Sequence, residues 1–130
     1  VVQRFLKDED PFKVFGHNQT RSFNFIDDAV SGTIGAMESK KTNGEIFHIG
    51  DMNSEITIEE LVHFIGDLMN YKGTYERQEA HSGSVSRRCP DTQKAERVFG
   101  YKPEVNWKDG VIRTVNWYID YINSGKNVFE

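Results

Sequence analysis

The sequence predicts a mixed α/β lobe of the α+β kind, built from short strands with about four helices, and three observations carry that expectation. Short β-prone runs are interleaved with apolar residues at helical spacing. A strong helix start, Thr57-Ile58-Glu59-Glu60, stands near the middle of the chain. Gly, Asn and Ser clusters punctuate the sequence at short intervals, and no internal repeat, heptad array or low-complexity tract is present.

Val1 to Leu6 reads as the end of an apolar helix with neither a start signal nor an initiator methionine, so the chain is expected to be a piece of a longer protein. Phe12-Lys13-Val14-Phe15 is a short β-prone run closed by Gly16-His17-Asn18, and Arg21 to Ile26 alternates with period two. Together they predict a β-hairpin. Asp27 and Asp28 then offer cap oxygens to free helix amides, and Ala29, Val30, Thr33, Ile34 and Met37 recur at helical spacing, which predicts an amphipathic helix. Gly32 and Gly35 inside it each cost about 1 kcal/mol against alanine, which implies close packing on a neighbour. After the Lys40 to Gly44 loop, Glu45 to Ile49 reads as a strand stopped by Gly50.

In the capping box, Thr57 accepts from the Glu60 amide while the Glu60 carboxylate reaches back, and Ile56 and Leu61 sit where a hydrophobic staple belongs. Behind it Leu61, Phe64, Ile65, Leu68 and Met69 form one apolar stripe facing a core. Thr74 to Arg77 reads as a strand and His81 to Ser86 as a polar loop. Asp91 caps a short helix through Lys94, Ala95, Val98 and Phe99 that ends at Gly100, where glycine takes the left-handed conformation cheaply. A last helix from about Lys108 carries Val111, Val115, Tyr118, Ile119 and Ile122 and closes near Gly125.

Composition bounds the function. The chain has 130 residues with 20 acidic and 16 basic, a formal charge of -4, and is 37% hydrophobic. Residues 1–130 are expected to form one soluble domain with no second composition zone. Such a length buries roughly two-thirds of the unfolded surface without staples. Cys89 is the lone cysteine, which suits a reducing cytoplasm. No apolar run is long enough to span a bilayer, and the mild acidity argues against a nucleic-acid partner.

Most familiar chemistry is missing. His17, His48, His63 and His81 are scattered without His or Cys partners at metal-ligand spacing, so no metal is expected. His48 reads as a satisfied residue on a half-buried strand, His63 as solvent-facing, and Cys89 as an inert thiol. No Gly-x-Gly-x-x-Gly is present, and no tyrosine has a lysine four residues on, so the chain is expected to supply neither a dinucleotide site nor a catalytic residue. The carboxylate pairs Asp27/Asp28 and Glu59/Glu60 sit at helix starts, where capping is their expected job. What remains is positive charge in unusual places: Arg21 at a strand end, and Arg87-Arg88 in a loop before Pro90. Two separated guanidinium sites suit an oxyanion such as a diphosphate, because the planar fork binds it bidentately. The simpler alternative has Arg21 paired with an acidic neighbour and Arg87 and Arg88 solvated.

The segments Val14-Phe15-Gly16, Gln19 to Phe23, Asp27-Asp28, Phe47 to Gly50, Glu55 to Leu61, Arg87 to Asp91, Lys94-Ala95, Gly100 to Pro103, Asp109-Gly110 and Trp117-Tyr118 occur in an order that resembles the NAD-dependent epimerase/dehydratase family, the extended short-chain dehydrogenase/reductases. The Arg87 to Asp91 segment is most similar to UDP-glucuronate decarboxylases and their relatives. The resemblance covers nearly the whole chain and implies a C-terminal lobe that binds a nucleotide-diphosphate sugar. It also implies that NAD and the catalytic tyrosine and lysine belong to an N-terminal Rossmann domain outside this chain, and that the parent enzyme is a homodimer. Position by position, Arg21 matches an arginine that contacts the diphosphate. Arg87 or Arg88 matches a second, and Lys13 and Phe15 match strand positions whose backbone meets the base. Two departures stand out: the Gly16 to Gln19 turn is a residue shorter than usual and lacks a second glycine, and His48 replaces a more usual asparagine.

The expected function is therefore the sugar-nucleotide-binding lobe of an NAD-dependent epimerase, dehydratase or decarboxylase, inactive alone. The alternatives are a stand-alone α/β protein-interaction module using Trp107, Trp117 and Tyr121, and a weaker one, an RNA-binding sheet domain, which the charge balance opposes.

Overall fold

Residues 1–125 are described by a computed structural model, in which five α-helices and two small sheets carry the chain. Helix α1 (Val2–Leu6) leads into β1 (Phe12–Phe15), β2 (Thr20–Ser22) and α2 (Ile26–Glu38), followed by a 3-10 turn at Lys40–Thr42. Then come β3 (Glu55–Thr57), α3 (Ile58–Leu68), β4 (Tyr75–Gln78), β5 (Arg87–Arg88), α4 (Gln93–Phe99) and α5 (Trp107–Asn123). The mixed α/β class holds.

The main core lies where α1, β1, α3 and α5 meet. Val2, Phe5, Phe12, Val14, Val62, Ile65 and Val115 are buried in one cluster, and the Phe5 and Phe12 rings stack with centroids 4.0 Å apart. Burying side chains of this size contributes about 1.5–3 kcal/mol each. β1 alternates as its sequence demands, with Phe12 and Val14 inward and Lys13 and Phe15 outward.

The expected hairpin does not form. β1 pairs in parallel with β4, whereas β2 pairs antiparallel with β3 and in parallel with β5. Period-two alternation in both runs marks half-buried strands but carries no information about the partner. Here the turn at Gly16 (φ +62°) carries the chain off β1 and into a second sheet.

α2 departs further. It starts at Ile26 with Phe25 at the N-cap and no side-chain cap, so neither Asp27 nor Asp28 caps it. Asp28 is instead buried and accepts from the Glu104 and Val105 amides at 3.0 Å each, which ties the stretch before α5 to α2. The helix buries Asp28 and Gly32 and leaves Ile26, Val30, Ile34 and Met37 exposed. Gly32 is where the close approach occurs: an added Cβ would lie 2.6 Å from the Tyr101 ring and 2.8 Å from Ile49. Tyr101 is itself buried and donates to the Gly50 carbonyl at 3.0 Å.

The expected strand at Glu45 to Ile49 is absent; no sheet partner for it lies among the described residues. The capping box at Thr57 forms as expected, with both reciprocal bonds. The buried face of α3 is turned about one residue from the expected stripe, since Val62, Ile65 and Gly66 are buried and Leu68 is 37% exposed. α4 has Thr92 at its N-cap, while Asp91 Oδ1 takes the Gln93 amide at 2.9 Å, and the helix closes at Gly100 in the left-handed region. α5 is capped by Asn106 Oδ1, which accepts from the Lys108 amide at 2.9 Å.

Gly32→Ala tests the packing of α2. Overpacking against Tyr101 and Ile49 costs about 1–3 kcal/mol and outweighs the ~1 kcal/mol of helix propensity that alanine adds. Urea denaturation should show a less stable variant, and a more stable one would mean that α2 does not sit on Tyr101.

Candidate functional site

The turn after β1 positions the site. It closes with a bond from the Gln19 amide to the Gly16 carbonyl at 2.9 Å, and the backbone of Asn18 is not left-handed. The shorter turn therefore works without a second glycine. The carbonyls of His17 and Gln19 accept from the Glu59 and Ile58 amides at 3.1 and 2.9 Å, so the turn also satisfies the first amides of α3. Gln19 is buried, and its Oε1 accepts from Arg21 Nη2 and Ser84 Oγ at 3.0 Å each.

β2 then sorts the arginines. Arg21 lies beside Arg88 in the parallel ladder and Thr20 beside Arg87. Neighbours in register project from the same face and successive residues from opposite faces, so Arg21 and Arg88 share one face and Arg87 takes the other. On the Thr20 face, Arg87 gives Glu55 a two-point ion pair, Nε to Oε1 at 2.8 Å and Nη2 to Oε2 at 2.7 Å. Thr20 Oγ1 donates to Glu55 Oε1 at 2.6 Å. The bonds from Arg87 and Thr20 hold the Glu55 carboxyl well below its ordinary range, at about 2.

On the opposite face the charges are not cancelled. Arg21 donates to neutral oxygens, the Thr20 carbonyl at 2.6 Å, the Val85 carbonyl at 2.9 Å and Gln19 Oε1 at 3.0 Å. These bonds fix the guanidinium without neutralising it, so the expected alternative of an acidic partner for Arg21 does not hold. Arg88 makes no side-chain hydrogen bond or ion pair among the described residues. Arg21 and Arg88 open on a cleft of about 600 Å³ whose other wall includes Phe47, His48 and Pro90. Gly50 packs against Pro90, which brings the residues after α2 to the end of β5. His48 is exposed on that wall and lies on no strand, contrary to expectation.

Lys13 and Phe15 stand apart from this cleft on the exposed positions of β1. The Lys13 carbonyl accepts from Arg4 Nη2 at 2.9 Å, and the Phe15 ring stacks on His81 with centroids 4.8 Å apart. The His81 to Ser86 loop runs from that stack to Arg21, so the two groups occupy its ends.

Other candidates contribute less. Burial, and then the Glu55 charge, push the Cys89 thiol up, and its Sγ lies 3.6 Å from the Met52 carbonyl, so it is poorly suited to act as a thiolate. Among the described residues no group of three or more His, Cys, Asp or Glu could hold a metal, and no helix is long and apolar enough to cross a membrane. His63 packs on Tyr75, with ring centroids 4.1 Å apart. Trp107 packs edge-on against Phe64, whereas Trp117 is 53% exposed and stacks on Tyr121. A hollow of about 350 Å³ between α1, α3 and α5 is lined by no ionisable group. The cleft wall at Phe47 and His48 went unforeseen, because it depends on a segment far from both arginines in sequence. The separation of Arg87 from Arg88 was legible in principle, since adjacent strand residues face opposite ways.

No protein-family model matches the chain. It is 32% identical over 131 residues to the UDP-glucuronate 4-epimerase of Thermodesulfobacterium geofontis, covering 98% of this chain and 40% of that protein. It is also 32% identical over 133 residues to the UDP-N-acetyl-alpha-D-glucosaminuronate decarboxylase of Bacillus cytotoxicus, covering 95% and 41%. Its fold matches the crystal structure of UDP-glucuronic acid 4-epimerase from Bacillus cereus in complex with UDP-glucuronic acid and NAD. That match has a TM-score of 0.79 at 28% identity, over 96% of this chain and 38% of that one. The chain thus spans about two-fifths of the length of the relatives it matches.

The Glu55 ion pair has a pH signature. A carboxyl depressed in the folded state adds stability above its ordinary value of 4.5 and loses it as pH falls toward about 2. Urea midpoints should drop across that window, and less steeply in Glu55→Gln; equal slopes would show that the pair with Arg87 does not form.

Proposed function

Because this chain belongs to the NAD-dependent epimerase/dehydratase family, the extended short-chain dehydrogenase/reductases, we propose that its cleft grips the diphosphate of a nucleotide sugar between Arg21 and Arg88. The observation that carries this reading is the pairing of two un-neutralised guanidinium groups on one sheet face above one cleft. Arg21 is held in place by neutral acceptors and so needs little reorganisation to meet an anion. Arg88 keeps its planar fork for two-point binding. Arg87 is assigned to the fold through Glu55 rather than to the ligand. Lys13 and Phe15 lie toward the nucleoside end, where backbone groups rather than side chains would meet the base.

Two relatives of this chain are, by their names, an epimerase and a decarboxylase of UDP sugars, and one solved neighbour holds UDP-glucuronic acid and NAD. The residues of this chain do not fit a dinucleotide. Gly32 and Gly35 lie inside α2 against Tyr101 and Phe99, and no glycine-rich turn from strand to helix occurs among the described residues. On this reading NAD is held by the part of the family's length that this chain does not span. The lobe contributes orientation, because binding energy at the non-reacting diphosphate fixes the sugar relative to the reacting groups.

Calorimetric titration of the chain with UDP-glucuronic acid at low salt should give weak, saturable binding that declines as salt is added. Arg88→Ala and Arg21→Ala should each weaken it about tenfold or more, the scale of a lost charge-assisted contact. Arg87→Ala should bind normally yet unfold more easily. Binding unchanged in Arg88→Ala would remove this assignment.

A further inference from the structure

Arg21 divides its hydrogen bonds between two kinds of acceptor. Each terminal nitrogen of a guanidinium carries two N–H bonds. Nη1 donates to the Thr20 carbonyl at 2.6 Å and lies a long 3.5 Å from the Ser86 carbonyl. Nη2 donates to Gln19 Oε1 at 3.0 Å and to the Val85 carbonyl at 2.9 Å, with Ser84 Oγ at 3.5 Å. Thr20 belongs to β2 and Gln19 to the turn before it, where it is buried, so their bonds are part of the fold. Ser84 and Val85 belong to the His81–Ser86 loop, every residue of which is exposed. A diphosphate that meets the Arg21 fork therefore finds the second N–H of Nη2 already taken by this loop.

The loop is tied down at its two ends. The His81 ring stacks on Phe15 with centroids 4.8 Å apart, and the Ser86 carbonyl accepts from the Thr20 amide at 2.9 Å. Between these anchors the hydrogen bonds that Ser82 to Val85 make with the rest of the molecule all end on Arg21 or Gln19, among the described residues. Ser84 Oγ donates to Gln19 Oε1 at 3.0 Å. Inside the loop, the Ser84 amide donates to the His81 carbonyl at 3.0 Å around Gly83, whose φ is +81°. The stretch buries no residue, so its release breaks few contacts.

We propose that Ser82–Val85 is a latch on Arg21 that the phosphate oxygens of the ligand displace, the segment swinging between its anchors at His81 and Ser86 while Gln19 and Thr20 hold the guanidinium still. The inference rests on the cleft reading above and adds how that site opens. In the exchange the cation gives up a neutral carbonyl for an anionic oxygen, which attracts it more strongly, so the exchange runs toward the ligand. Without ligand the Val85 carbonyl keeps the N–H of Nη2 satisfied. The closed latch lowers the apparent affinity by the fraction of chains in which it stands open.

Gly83→Ala supplies the test. A Cβ at that position meets nothing within 4 Å, so the substitution acts only by straining the left-handed backbone of the closed loop. The variant should bind UDP-glucuronic acid about three- to tenfold more tightly than the unsubstituted chain. Ser84→Ala should shift binding the same way by a smaller factor. In NMR relaxation, the Ser84 and Val85 amides should become mobile on saturation with UDP-glucuronic acid while Ser86 stays rigid. Inorganic pyrophosphate should release them as well, and uridine should not. Unchanged or weaker binding in either variant would overturn the latch, as would Ser84 and Val85 staying as rigid in the saturated chain as in the free one. Release by uridine alone would also overturn it, because the stack of His81 on Phe15 would then be the trigger. The cleft reading fails separately: it falls, and the latch with it, if the chain does not bind UDP-glucuronic acid or if Arg21→Ala and Arg88→Ala bind as the unsubstituted chain does. It stands without the latch if those two variants lose binding while Gly83→Ala gains none.

Discussion

Thr20 and Arg21 are paired on both edges, with β3 on one side and β5 on the other, and that double pairing governs the rest of the site. Because side chains alternate along a strand, a ladder that sets Arg21 beside Arg88 must set Arg87 on the far side, beside Thr20 and within reach of Glu55. One arginine is thereby neutralised and two are left charged above the same cleft. A slip of one residue would exchange Arg87 and Arg88 between the faces and separate Glu55 from its partner. Register is therefore an electrostatic decision as well as a geometric one.

Packing far from the arginines holds that register. The Gly16 turn satisfies the first amides of α3, and the capping box at Thr57 and Glu60 finishes the same helix start. Ser22 Oγ donates to the Asp51 carbonyl at 2.5 Å and the Phe23 amide to the Ser54 carbonyl at 3.2 Å, so the exit of β2 is tied as firmly as its entry. Tyr101, wedged against Gly32 and bonded to the Gly50 carbonyl, sets the distance between α2 and the residues that form the cleft's second wall. Small residues at 32 and 50 are thus connected to the anion site through packing alone.

The molecule has two kinds of surface. The core of α1, β1, α3 and α5 is packed around stacked aromatic rings, apart from the hollow between α1, α3 and α5. Around α2 and the residues after it, apolar side chains and backbone groups are left open. The cleft lies between these two regions, and on the proposed reading the lobe orients a ligand rather than supplying the reacting group. That is in keeping with the absence of any tyrosine–lysine pair at helical spacing.

Signals carried by a few neighbouring residues were legible in the sequence. The capping box at Thr57, the left-handed Gly100, the last helix from Trp107 and the tight contact at Gly32 all follow from local backbone chemistry. So was the class of the fold, and Arg21 with the adjacent pair stood out as candidates, the choice between Arg87 and Arg88 staying open. What failed depended on partners distant in sequence: β1 paired with β4 rather than β2, Asp28 went to the amides of Glu104 and Val105 rather than to its own helix, and Glu45 to Ile49 found no strand beside it. Alternation and helical spacing tell which residues share a face, and that much the sequence by itself determined. Which neighbour each face meets, and so which arginine keeps its charge, is set by loop closure and long-range pairing. Those contacts exist only once the chain has folded, so the tertiary structure alone decided them.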